Sequence, residues 1–143
     1  AKFNYNMYPE ELVRPMRAEL TNHGFNELKS ADDVHAVLKN QEGTTLLVVN
    51  SVCGCAAGNA RPGTILSLQE NKVPNNLVTV FAGQDAEATQ VARQYLAPYP
   101  PSSPSIALFK DGELVHFLER HNIESSTAGM IAADLNGAFE KFC

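Results

Sequence analysis

Apolar residues in the first forty positions recur at helical spacing, and beyond them the pattern switches to continuous β-favouring runs. Between Pro9 and Asn22, residues Leu12, Val13, Met16 and Leu20 line one helical face, and Gly24 supplies a stop. Pro15 falls inside this pattern, so the helix either kinks there or begins near it. A second, short helix is expected after Ser30, an N-cap residue followed by Asp32 and Asp33 in the first turn, with Val34, Val37 and Leu38 as its apolar face. Gly43 closes that stretch. Thr45 to Val49 then reads as a strand buried on both faces. From Ala56 to about Asn71 a helix is predicted, with Ile65 and Leu68 one turn apart and a kink at Pro62. Leu77 to Ala82 is a second buried strand. Gly83-Gln84-Asp85 is a turn whose Asp85 caps a helix over Ala86 to Leu96. Ala97 to Pro104 is a proline- and serine-rich structured loop. Ser105 to Phe109 and Glu113 to Leu118 are strands joined through Asp111-Gly112, a tight hairpin signal. One last helix is expected from Glu124 to Phe142, carrying Ile131, Leu135, Ala138 and Phe142 on one face.

From Thr45 onward the order is strand, helix, strand, helix, strand, hairpin, strand, helix. Two strands joined by a helix run parallel, and two joined by a tight turn run antiparallel. A mixed central sheet flanked by helices satisfies both demands. That is the α/β, thioredoxin-like plan. We expect one such domain over residues 1–143, with an N-terminal helical extension (1–43) ahead of the core (44–143).

Composition narrows the function. A formal charge of −5, with no Lys/Arg-rich run, argues against nucleic acid or an anionic membrane as the main partner. The longest apolar runs, such as Leu46-Leu47-Val48-Val49, are strand-sized and far short of a membrane span. Ala1-Lys2-Phe3 does not open a signal peptide, which together with the cysteine usage predicts a cytoplasmic protein. Three cysteines are too few, and odd in number, for a secreted disulfide scaffold. Two of them nearly adjacent point to reactive or metal-binding thiols.

Cys53-Gly54-Cys55 sits between the end of a buried strand and the start of a helix. Reactive groups in open α/β sheets gather outside the carboxyl ends of strands. A thiol near a helix N-terminus faces unpaired N–H groups and the positive end of the dipole, which favour thiolate. Cys53 comes first and is assigned as the attacking nucleophile, with Cys55 as the resolving thiol. Arg61, one to two helical turns on, is a minor candidate for adding positive potential. With only Gly54 between them, a disulfide closes a small strained ring, easily reduced and poorly suited to a structural role. A second chemistry uses Cys53, Cys55 and Cys143 as soft ligands for zinc or copper(I). His23, His35, His116 and His121 are scattered and read as surface residues. Ser103 and Pro104 precede the strand expected beside the cysteine-bearing one, where thioredoxin-like folds place a cis-proline next to the reactive thiol. They are the candidate substrate-binding pair.

The stretch Val48-Val49-Asn50-Ser51-Val52-Cys53-Gly54-Cys55-Ala56-Ala57-Gly58, followed by Ala60-Arg61-Pro62, closely resembles the bacilliredoxins. So do Pro15-Met16-Arg17-Ala18-Glu19-Leu20, Val80-Phe81-Ala82-Gly83-Gln84-Asp85, Pro101-Ser102-Ser103-Pro104-Ser105, the surroundings of His116-Phe117 and Arg120-His121, and the C-terminal Cys143. The resemblance implies a thioredoxin-like fold, a bacterial cytoplasmic setting and no bound cofactor. It implies removal of the low-molecular-weight thiol bacillithiol, as co-substrate, from S-bacillithiolated protein cysteines. Cys53 would take up the bacillithiol and Cys55 would help to resolve the adduct. Weak disulfide reductase or isomerase activity is associated with the family.

Overall fold

The computed structural model describes residues 8–39 and 41–143; the Ala1-Lys2-Phe3 stretch read above for a signal peptide lies outside them. Helix α1 (Glu10–Thr21) buries Val13 and Leu20. It runs through Pro15, which sits on the exposed side. A short strand β1 (Asn26–Glu27) follows, then α2 (Ala31–Leu38). Ser30 caps α2 as expected, its hydroxyl accepting from the Asp33 amide at 3.1 Å. Strand β2 (Thr44–Asn50) is buried along its whole length.

β3 (Asn76–Phe81), α4 (Ala86–Gln94), β4 (Ser105–Lys110) and β5 (Glu113–Leu118) follow within a residue or two of expectation. The β4–β5 turn has positive φ at both Asp111 (49°) and Gly112 (82°), the backbone of a two-residue hairpin. The sheet order is β1-β3-β2-β4-β5. β2 runs parallel to β3 and antiparallel to β4, and β4 antiparallel to β5.

β2 explains why a continuous apolar run was the right signal. Leu47 and Val49 point to one face, into a core with Val34 and Leu38 of α2 and Ala88 and Ala92 of α4. Leu46 and Val48 point to the other, against Leu20 of α1 and Ile131, Leu135 and Phe139 of the C-terminal helix. Each fully buried Leu or Val contributes about 1.5–3 kcal/mol, so both faces of this strand anchor the sheet.

Four expectations change. The segment before the core is not purely helical, because β1 pairs with β3 at the sheet edge; two residues are too few to show a period. The helix after the cysteines begins with a π-helical turn, Ala56–Ala60, in which the Arg61 amide reaches back to the Ala56 carbonyl. It continues as α3 (Arg61–Ser67) and ends before Asn71. Pro62 has no amide to donate, and the wider turn lies just ahead of it. The single C-terminal helix is two: α5 (Arg120–Glu124) and α6 (Ala128–Phe142). Ser125 and Ser126 turn their hydroxyls back onto the carbonyls of His121 and Asn122, and Thr127 caps α6 by accepting from the Met130 amide. Finally, Asp85 occupies the N-cap position of α4, but its side chain does not cap. The carboxylate is taken by Arg17 at 2.6 and 3.1 Å.

Candidate functional site

The site assembles where β2, β3 and β4 meet their loops. β2 ends at Asn50, and this residue is the junction. Its backbone carbonyl accepts from Ala82 beyond β3, and its side-chain amide donates to the Met16 carbonyl of α1. Its Oδ1 accepts from the Ser51 amide and from Arg61 Nη1, both at 2.9 Å. Arg61 Nη1 also donates to the Ser51 carbonyl at 2.9 Å. Arg61 is 1 % exposed. Its Nε lies 3.1 Å from a Glu19 carboxylate oxygen, in ion contact without hydrogen-bond geometry. Arg61 therefore clamps the turn that presents the cysteines, and its charge is engaged by Asn50, Ser51 and Glu19.

The two thiols at this turn are free and half-buried, with Gly54 exposed between them. The amides of Ala56 and Ala57 close the turn on the Cys53 carbonyl at 3.0 and 3.2 Å. Burial pushes the Cys53 thiol up, but this is outweighed. The Cys55 thiol, the Ser51 hydroxyl and the amides of Ala56 and Cys55 all favour its ionised form, so its pKa falls below the ordinary value. Cys55 moves the other way: burial raises it, and the Cys53 charge raises it further, against a smaller lowering by Arg120. The two thiols are thus pushed in opposite directions, so that of the pair Cys53 is the one that ionises first. Cys55 packs against the core cluster that contains Ile131, Leu135 and Phe139 of α6.

β4 carries the opposite wall. The register pairs Ser105 with Val49, which brings the start of β4 beside the end of β2. The Ser103–Pro104 bond is cis, a state not readable from sequence. Ser103 lines the same cleft as Cys53, and Pro104 is buried behind it. The cleft measures about 230 Å³. Cys143, at the end of α6, is exposed. Among the described residues no three His, Cys, Asp or Glu side chains gather as a metal site, so Cys143 does not join the pair. Of the histidines, His116 is half-buried and contacts Asp134 at 3.1 Å, and His35 contacts the Tyr95 hydroxyl at 2.7 Å.

Two residues of the cleft were missed as site residues. Arg93, from the last turn of α4, and Arg120, which opens α5, both line it. Arg120, and not Arg61, is the charge that acts on the thiols. Neither lies within thirty residues of the cysteines in sequence; Arg120 falls in a stretch that carries the family resemblance, but nothing there ties it to the thiols, and no local motif marks Arg93.

Solved thioredoxins share this architecture. That of Fasciola hepatica superposes with a TM-score of 0.57 at 17 % identity, covering 83 % of this chain and 100 % of its own. The reduced thioredoxin of Schistosoma mansoni gives 0.55 at 18 % identity, covering 82 % and 96 %. Such identities establish the fold alone, a thioredoxin fold carrying a free thiol pair at the β2–helix junction. The sequence relationships are closer and define the class, a thiol–disulfide oxidoreductase. The family model described as disulphide isomerase matches residues 8–143. A bacilliredoxin of Cytophaga hutchinsonii is 58 % identical over 135 residues, 94 % of this chain and 99 % of that one. A bacilliredoxin of Halalkalibacterium halodurans is 52 % identical over 140 residues, 98 % and 97 %. This chain belongs to the bacilliredoxin family.

Proposed function

We propose that the chain removes bacillithiol from S-bacillithiolated proteins, with Cys53 as the attacking thiolate and Cys55 as the resolving thiol. The observation that carries this reading is the free Cys53–Cys55 pair presented at the turn after β2 in a chain of the bacilliredoxin family, and the opposite displacement of the two thiols, Cys53 lowered and Cys55 raised, supports the order of attack. The Cys53 thiolate attacks the bacillithiol sulfur of the mixed disulfide. The old S–S bond breaks, a new one forms to Cys53, and the substrate protein leaves as a thiolate. Cys55 then loses its proton and attacks Cys53, which releases bacillithiol as a thiolate and leaves a Cys53–Cys55 disulfide for an external thiol reductant to reopen. The raised pKa of Cys55 suits this order, because the second thiol stays protonated, as a donor to Cys53, until the charge on Cys53 has been consumed. Ser103 lines the wall against which the substrate disulfide lies, and the buried Pro104 next to it sets the course of that loop. No resident cofactor takes part in these steps, and the substrates are cytoplasmic bacterial proteins.

The test is incubation of the reduced protein with a bacillithiolated substrate, followed by intact-mass spectrometry. Cys55→Ser is expected to accumulate a bacillithiol adduct on Cys53. Full activity in Cys53→Ser would overturn the assignment.

A further inference from the structure

The Cys53 cleft carries two arginines that neither the fold nor thiol exchange by itself requires. Its lining includes Tyr8, Ser51, Cys53, Arg93, Ser103 and Arg120, and no carboxylate. This is unusual for a chain of net charge −5. Of its five arginines, Arg17 and Arg61 are engaged by internal carboxylates, and two of the remaining three converge here.

Arg93 Nε is buried and has no hydrogen-bond partner among the described residues. Burial alone acts on its charge, with no anion set against it. A buried donor without a partner is costly, native structures rarely keep one without a use, and Arg93 lines the cleft. Arg120 is oriented from the other side. Its Nη1 donates to the Ser103 carbonyl at 3.2 Å, which ties the guanidinium to the loop beside the thiols. Its Nε contacts Glu124 at 3.3 Å, one turn along the exposed face of α5. Surface pairs of this kind are weak and easily exchanged, and the remaining N–H donors have no partner among the described residues. Two arginines lining the cleft that holds Cys53 match a carboxylate, which a guanidinium binds through paired N–H···O contacts. A cleft of about 230 Å³ lies below the usual range of drug-sized pockets, about 300–1,000 Å³. It is an open cleft with room for part of a small organic thiol.

We propose that Arg93 and Arg120 form a carboxylate-binding subsite beside Cys53 that selects mixed disulfides whose small-thiol half is acidic. This rests on the reading that Cys53 attacks such disulfides. The subsite holds the acidic half in place while its sulfur faces Cys53, so the selectivity falls on the low-molecular-weight thiol and not on the protein.

The test uses one peptide cysteine carried as two mixed disulfides, with 3-mercaptopropionate or with 2-mercaptoethanol, which are similar in size and differ in charge. The rate of adduct formation on Cys53 is followed by mass spectrometry in a Cys55→Ser background. The acidic disulfide is expected to react faster, and Arg93→Gln and Arg120→Gln are each expected to cut that preference about tenfold. Arg93→Lys, which keeps the charge and loses the fork, is expected to fall between. Arg14→Gln, an exposed arginine on α1 away from the cleft, is expected to leave the preference intact. Equal reaction of the two disulfides with the unsubstituted arginines, or substitutions that slow both to the same degree, refutes the subsite and leaves thiol exchange at Cys53 standing. Failure of both disulfides to label Cys53 overturns the exchange reading and the subsite together.

Discussion

Replacing Arg61 with methionine tests whether the clamp behind the cysteines is structural. Methionine fills a similar volume in the buried slot but offers no donor. Three groups lose a partner. The Ser51 carbonyl has no other hydrogen bond among the described residues, so it is left orphaned, at about 1–3 kcal/mol. Asn50 Oδ1 keeps the Ser51 amide and loses only the charge-assisted bond, which adds about 1 kcal/mol. The Glu19 side chain is 42 % exposed and returns to water at little cost. The total is about 2–4 kcal/mol, a large share of the stability of a domain of this size. Urea unfolding with an unchanged slope and a lower midpoint is the expected result. Arg61→Lys restores a charge but not the fork that spans Asn50 and Ser51, so about half of the loss should remain. If Arg61→Met costs less than about 0.5 kcal/mol, the Asn50–Ser51–Arg61 network does not hold the turn, and the account of how β2 presents Cys53 fails with it.

The lowered pKa of Cys53 has a direct consequence in its alkylation profile. The thiolate is the reactive species, so the rate rises with pH through the Cys53 pKa, and its midpoint should lie below that of a free thiol. Cys55→Ala removes the strongest group favouring the ionised form and should move that midpoint upward, slowing alkylation at neutral pH; a midpoint that stays put would mean Cys55 does not stabilise the charge. Gly63→Ala sets helix propensity against packing. An added methyl in α3 favours the helix by about 1 kcal/mol. Its Cβ, however, would stand 2.8 Å from Ile131 Cβ and Cγ2 and 2.9 Å from the Ala128 carbonyl of α6. Overpacking costs about 1–3 kcal/mol, so a melting temperature lower by a few degrees is expected, and a rise would show that α3 and α6 part without penalty.

Much of the architecture was legible because its signals are local. β2 announced itself by an uninterrupted apolar run, the hairpin by Asp111-Gly112, and α2 by Ser30 with the two aspartates after it. The Cys53-Gly54-Cys55 turn was legible for the same reason, since its meaning depends on the strand before it and the helix after it. The failures share a different cause. Asp85 has the identity of a cap, and only the approach of Arg17, sixty-eight residues away, diverts its carboxylate. The break between α5 and α6 depends on Ser125, Ser126 and Thr127 competing for backbone groups inside a stretch whose apolar spacing is otherwise continuous. Arg93 and Arg120 reach the cleft from two separate helices, and tertiary placement of single cations leaves no trace in periodicity. Arg61 was noticed for its closeness in sequence to the thiols, yet closeness along the helix turned its fork inward to Asn50 and Ser51.

The Arg17 cluster ties together parts of the chain that a division at residue 43 would separate. Arg17 of α1 holds Glu10 of its own helix, Glu27 of β1 and Asp85 beyond β3. Burial opposes its charge, but these carboxylates more than compensate and fix it as a cation. The same contacts keep β1 seated along the outer side of β3, whose inner positions Val78 and Val80 belong to the core. A bare β3 would be a ready template for pairing with another chain. Residues 8–39 therefore act as edge protection: they close one side of the sheet against self-association while bracing, through Asp85, the loop that forms one rim of the cleft.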